Sequence, residues 1–246
     1  MLEGLRTAAA GMKAQQFKLD AVSNDLANAN TTGYKRLRVG FSDLLYEQGG
    51  RPTISNEAQL GTGSRAVQGG RTFEQGNLTR TDKPTDVALQ GPGFMKVKLA
   101  DGRDALTRDG NFHIDSSRRL VTSFGGMLNP SITVPEGTTE SDISIARDGT
   151  VAAKGQALGR IQLVNVRSPQ NLESVGDNAF TTNARSGNAV AAPATTTLEQ
   201  GTLEASNTDM AQAMTDMIEA QRTYQLTSKA IQTADQMMEI ANGVKR

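Results

Sequence analysis

The sequence has no cysteine, no tryptophan, a single histidine and no excess of either charge: 26 basic residues balance 26 acidic ones among 246. Each shortage removes a class of function. Without cysteine there is neither disulfide nor thiolate chemistry, and the chain suits either redox compartment. With His113 alone, a metal centre would have to be built from carboxylates. Charge neutrality argues against a dedicated nucleic-acid binder, which needs a basic excess to displace counterions from phosphates. No apolar run approaches the roughly 20 residues that span a bilayer, so no membrane insertion is expected. The first residues, "MLEGLRTAAAGMKAQQ", lack the charged start and apolar stretch of a cleaved secretory signal. An exported form would use another route. Aromatic residues make up only 4%, so a core must be built from Leu, Val, Ile, Met and Ala.

Catalytic patterns are missing as well. There is no G-x-x-x-x-G-K-[ST], no G-x-G-x-x-G between strand and helix, and no G-x-S-x-G. His113 lies in "NFHID", which reads as a strand rather than a catalytic loop. Asp109-Gly110-Asn111 hints at a calcium loop but lacks the alternating oxygen ligands and closing glutamate, and reads better as a turn. No catalytic, cofactor-binding or metal-ligating residue is expected, and no cofactor.

What is present is pattern. Residues 2–28 are helical in spacing: Leu5, Met12, Leu19 and Leu26 recur every seven residues, with Ala8, Gln15 and Val22 three further on. Gly11 on this helix would allow a neighbour to approach closely. The C-terminal segment is stricter: Met210, Met217, Tyr224, Ile231 and Met238 with Ala213, Ala220, Thr227, Ala234 and Ala241, and Met214 beside them. Ser206 and Asn207 are N-cap candidates, Asp209 suits the positive end of the helix dipole, and Gly243 suits the stop. At about 1.5 Å per residue the two helices would run roughly 40 and roughly 50 Å. Two such seams pack on each other, or on copies from neighbouring chains; an ordinary two-helix cap on a globular core is the plainer alternative.

Between the helices the chain changes character. "DVAL", "GFMKVKL", "DALTR", "NFHID", "RLVTS", "DISIA", "TVAA" and "RIQLVNV" read as short strands. Asp101-Gly102, Asp109-Gly110 and Asp148-Gly149 are turn dipeptides. Alternation around Phe94, Val97 and Leu99 is imperfect, so strands are expected without a register. Residues 47–70 and 176–200 are polar, show no period, and read as connecting arms. The fold expected is therefore α+β: long N- and C-terminal helices pairing in coiled-coil fashion, and a central antiparallel β-rich domain. The expected division is a terminal helical domain of residues 1–35 and 203–246, a connector over 36–70, a β-rich domain over 71–185 and a return connector over 186–202.

The stretch "SNDLANANTTGYKR", residues 23–36, ends the first helix with asparagines, threonines, a glycine and cations. Lys35, Arg36 and Arg38 could meet an acidic partner or sit in a solvated turn. This stretch resembles the N-terminal signature of the bacterial flagellar basal-body rod and hook protein family. Asn24, Leu26, Ala27, Asn28, Asn30, Thr31, Gly33, Tyr34 and Lys35 match it, while Asp25 stands where the family usually has Asn. The C-terminal "LEASN" (203–207), "MIEAQRTYQ" and "KAIQTADQMM" resemble the family's second motif, with Thr227 for a usual Asn and Ala213 where Glu is frequent. "FEQGNL", "PTDVALQGPGF", "TRDGNFHID" and "FSDLLYE" are most like the distal-rod (FlgG-type) members.

The resemblance implies a non-enzymatic axial subunit of a helical homo-polymer that transmits motor torque and encloses an export channel. It implies proximal rod and hook subunits, surrounding ring proteins, a rod cap and the flagellar type III export apparatus as partners. The location implied is the basal body across the periplasm, reached without a cleaved signal. The helices would lie inside the tube, packed through Leu5, Met12, Leu19, Val22, Leu26, Met210, Met214, Met217, Tyr224, Ile231 and Met238. Residues 1–35 and 203–246 would fold on assembly, since isolated seams bury too little to offset chain entropy. Competing readings are a proximal-rod or hook subunit and, from a different class, a secreted β-rich adhesin or binding module.

Overall fold

In a computed structural model of the chain, the residues described are 2–43, 46–47, 60–61 and 63–243. The expected connector falls partly outside them, at 44–45, 48–59 and 62. The chain divides into two compact units. One holds the terminal helices and a two-stranded ribbon; the other is residues 28–36 with 70–208.

In the helical unit, α1 spans Leu2–Ala27 and α2 spans Met210–Gly243. They pack on each other. Alanine makes this possible: Ala14 and Ala21 on α1 and Ala213 and Ala220 on α2 are buried, so the backbones can approach. Lys18 Nζ reaches Glu219 Oε2 at 3.3 Å across the pair. No described residue of the chain comes close to Gly11, where a built Cβ meets nothing within 4 Å. The N-cap of α2 is also not Ser206 or Asn207. Asp209 takes that role, its Oδ1 accepting from the amides of Ala211 at 2.9 Å and Gln212 at 3.2 Å. The ribbon pairs Leu37–Asp43 with Ser64–Arg71. It is tied to α1 by Asp25, whose Oδ1 accepts from the Leu37 amide at 3.1 Å.

Every segment expected as a strand contributes one to the β unit. The largest sheet has nine strands; its main path runs Glu173–Gly176, Ala179–Thr181, Asp104–Thr107, Phe94–Lys98, Met127–Leu128, Leu120–Thr122, Phe112–Ile114. All its pairings are antiparallel. Leu163–Asn165 joins the other edge of Phe94–Lys98 and carries Val190–Ala191. Residues 176–200, without a period in the sequence, thus carry strands. A three-stranded sheet (Ile143–Ile145, Thr150–Ala153, Gln156–Arg160) and two strand pairs complete the unit.

The imperfect alternation at Phe94 now has a cause. Met95 and Val97 belong to the main apolar cluster with Val87, Leu120, Val151 and Ile161, whereas Phe94 belongs to a second cluster with Leu106, Val164 and Phe180. A strand with apolar packing on both faces shows a near-continuous run rather than a period of two. Phe73, Phe94 and Phe180 meet edge to face in the second cluster, with centroids 5.1 to 6.4 Å apart. Asp101-Gly102 and Asp148-Gly149 close hairpins, but Asp109-Gly110 does not: Gly110 lies flat against another backbone segment, and a Cβ there would sit 1.6 Å from the Val87 carbonyl oxygen.

Candidate functional site

The N-terminal signature and the "LEASN" segment come together inside the β unit, around one carboxylate. Glu204 lies on Thr202–Glu204, which pairs with Leu78–Arg80 and continues through the Ala205 amide to Asn77 O at 2.8 Å. Its side chain is fully buried. Oε1 accepts from Lys35 Nζ at 2.5 Å and from the Gly76 amide at 2.9 Å, and Oε2 accepts from Arg108 Nε at 2.8 Å. Lys35 Nζ also donates to Glu74 O at 2.8 Å. Arg108 donates its remaining terminal nitrogens to the carbonyls of Gly93 and Gly91, each at 3.1 Å. Three charges are thus buried together with their hydrogen bonds satisfied, the arrangement a low-dielectric interior demands. Burial holds the Lys35 ammonium below its ordinary pKa, and Glu204 opposes that shift.

The backbone before Lys35 fits only as glycine. Gly33 has φ +66°, and a Cβ on it would lie 2.8 Å from the Asp109 amide nitrogen. Its amide donates to Glu204 O at 2.8 Å. Thr32 Oγ1 donates to Asp109 Oδ1 at 3.1 Å, and Asn178 Nδ2 donates to Thr32 O at 2.9 Å. Tyr34 is buried with the Arg71 guanidinium over its ring at 5.2 Å. Asn207 closes the arrangement: its Oδ1 accepts from the Arg36 amide at 2.9 Å, and its Nδ2 donates to Thr72 O at 2.7 Å.

Of the signature residues, Gly33, Tyr34 and Lys35 are buried here. Asn28 accepts from Thr31 twice, at its carbonyl and at Oδ1, both at 3.1 Å. That local turn follows the last residue of α1. Asn24, Ala27 and Asn30 are exposed and Leu26 is half-buried. The solvated-turn alternative for the basic cluster fails for Lys35 and holds for Arg36 and Arg38, which are exposed. Sequence reasoning missed Glu204, Arg108, Asn207 and Arg71. The available signal was a lone carboxylate between Leu203 and Ala205 in one motif and a lone lysine beside an aromatic in the other.

The expected packing residues divide by exposure. Leu5, Met12, Leu19, Val22, Leu26, Met217, Ile231 and Met238 are half-buried, whereas Met210, Met214 and Tyr224 are exposed. On α1 the most covered stripe is Ala14, Ala21 and Asp25, beside the heptad residues rather than on them. On α2, Met210, Met214, Ile218, Leu226, Met237 and Ile240 present large apolar side chains to solvent, Leu226 with 69% of its surface free.

Among the described residues no group of three or more His, Cys, Asp or Glu side chains is placed to hold a metal. Asp109, the calcium-loop suspect, instead accepts from Thr32, the Asn111 amide and Ser123 Oγ, the last at 2.8 Å. His113 sits on Phe112–Ile114 opposite Val121. No described helix is long and apolar enough to cross a membrane.

Three family models match the sequence: flagella basal body rod protein over residues 5–35, flagellar hook protein FlgE/F/G D1 domain over 88–153, and flagellar basal body rod FlgEFG protein C-terminal over 199–244. The chain is 42% identical to the flagellar basal-body rod protein FlgG of Borreliella burgdorferi, with the whole of both chains covered. It is 41% identical to FlgG of Caulobacter vibrioides, over 99% of this chain and all of that one. With FlgG of Bacillus subtilis it shares 34%, again over both whole chains.

Proposed function

This chain belongs to the FlgG family of flagellar basal-body rod proteins, and from that premise we propose that it is the structural axial subunit of the distal rod. Copies of the chain polymerise into a rigid helical tube that carries motor torque to the hook and encloses the export channel. The observation that carries this reading is the row of large apolar side chains on α2 from Met210 to Ile240, which the described residues leave uncovered. An uncovered apolar face of that length marks a contact surface. Identical subunits joined through unlike patches, with a rotation that does not close, build an open helix.

In this reading the helical unit forms the inner tube, α1 and α2 pairing in coiled-coil fashion and burying their remaining apolar faces on neighbours. The β unit forms the outer wall. The helices complete their ordering on assembly, whereas residues 28–36 and 203–208 already have their partners inside the β unit. The rod spans the periplasm and contacts proximal rod subunits, the hook, the surrounding rings, the rod cap and the export apparatus. The role is mechanical and involves no catalysis. An adhesin or binding module would need the β unit but not the uncovered helix face.

Electron microscopy of basal bodies from a strain lacking this protein tests the assignment. Rods that stop short and carry no hook are expected. Intact basal bodies with normal hooks would overturn it, and full-length rods without hooks would move the chain to the hook side.

A further inference from the structure

The two apolar clusters of the β unit are built from residues between Phe73 and Leu198, and neither includes a residue of 28–36 or 203–208. Those two segments are held by a different kind of interaction. Lys35, Glu204 and Arg108 form a buried ionic group; Gly33, Arg36 and Asn207 add backbone and amide hydrogen bonds. Tyr34 and Leu203 are buried as well, but outside both clusters.

Apolar burial stabilises in proportion to area, whereas a buried ion group returns little more than it loses in desolvation. The attachment of these segments is therefore weaker than the closure of the core, and it can fail first. We propose that residues 28–36 and 203–208 form a polar latch that opens and closes on a β core that stays folded. In the closed state Asn207 N donates to Tyr34 O at 3.4 Å, so the segment leading out of α1 and the segment leading into α2 lie side by side. In the open state that side-by-side pairing of the two segments is gone.

Glu204 is the keystone because both cations bond to it. Its removal strands two buried charges, whereas removal of Lys35 leaves the Arg108–Glu204 pair intact. The two substitutions should therefore differ in severity, in that order.

The test is amide hydrogen exchange on the full-length, unassembled protein. The Gly33 and Gly76 amides, which donate to Glu204, report on the latch. The Lys96 and Leu120 amides, which donate to Gln162 O and Ile132 O, report on the core. The latch amides of the unsubstituted chain should open more often than the core amides. Lys35→Met should speed latch exchange by about tenfold or more and leave the core amides unchanged. Glu204→Gln should speed latch exchange further. A single common opening rate for all four amides, moving together in Lys35→Met, would overturn the latch. That comparison decides the matter even where Glu204→Gln fails to fold.

Discussion

Single residues in this protein are constrained mostly by backbone that comes close. Gly110 shows it most plainly: Val87 N donates to Gly110 O at 3.0 Å, and Asp86 bridges to Asn111 beside it, so two chain segments lie in contact with no room for a side chain. Gly110→Ala should lower the stability of the β unit by about 3 kcal/mol, because the neighbouring backbone must move to admit the methyl group. Urea unfolding followed by circular dichroism measures it, and an unchanged midpoint would contradict this account of the packing. Threonines on α2 illustrate the opposite case, a polar residue made apolar by its own helix. Thr215, Thr223, Thr227 and Thr233 each donate to the carbonyl four residues earlier at 2.9 Å. The hydroxyl is satisfied locally, leaving a methyl group as the surface available to a neighbour.

At the scale of elements, the tight turns of the β unit depend on aspartates. Asp101, Asp115, Asp142 and Asp148 lie below the ordinary carboxylate pKa, chiefly because each accepts a backbone amide bond, from Arg103, Arg119, Thr139 and Thr150 respectively. Carboxylates with lowered folded values bind fewer protons folded than unfolded. Their contribution is complete above the unfolded value of 3.8 and is lost as pH falls through the folded values. Thermal melts from about pH 6 to about pH 2 should show the midpoint falling below about pH 4, with part of that fall absent when Asp115→Asn and Asp148→Asn are combined. A double variant with the full acid dependence would show that these turns do not carry it. The strands themselves were legible because short apolar runs between turn dipeptides have few other solutions. Their register was not, since Phe94–Lys98 has apolar partners on both faces and shows no clean period.

For the whole molecule, the separation of a covered and an uncovered face on α2 makes folding and assembly distinguishable. Met217 and Ile231 are half-buried, so a charge at either would disturb both. Ile218 is half exposed, with 50% of its surface free. Ile218→Asp should leave the helical circular dichroism of the unassembled chain unchanged and abolish motility and rod assembly, by placing an unpaired charge in the contact between copies. Normal motility in that variant would remove this face of α2 from the assembly contact.

The sequence by itself determined what local periodicity and chemistry can encode: two long terminal helices, the end of the first within one residue, a row of short antiparallel strands, and the absence of catalytic patterns. These follow from neighbours a few positions apart. The tertiary structure decided which polar residues are interior. For Lys35 an acidic partner and a solvated turn stand open in the sequence until Glu204, 169 positions away in the chain, is brought to 2.5 Å from it. The heptads likewise marked an apolar stripe on α1, whereas the alanines that α1 buries, Ala14 and Ala21, lie beside it. The reason is common to both. A charge or a small residue records nothing locally about its partner, and whether it is buried depends on a surface that another part of the chain supplies only once folded.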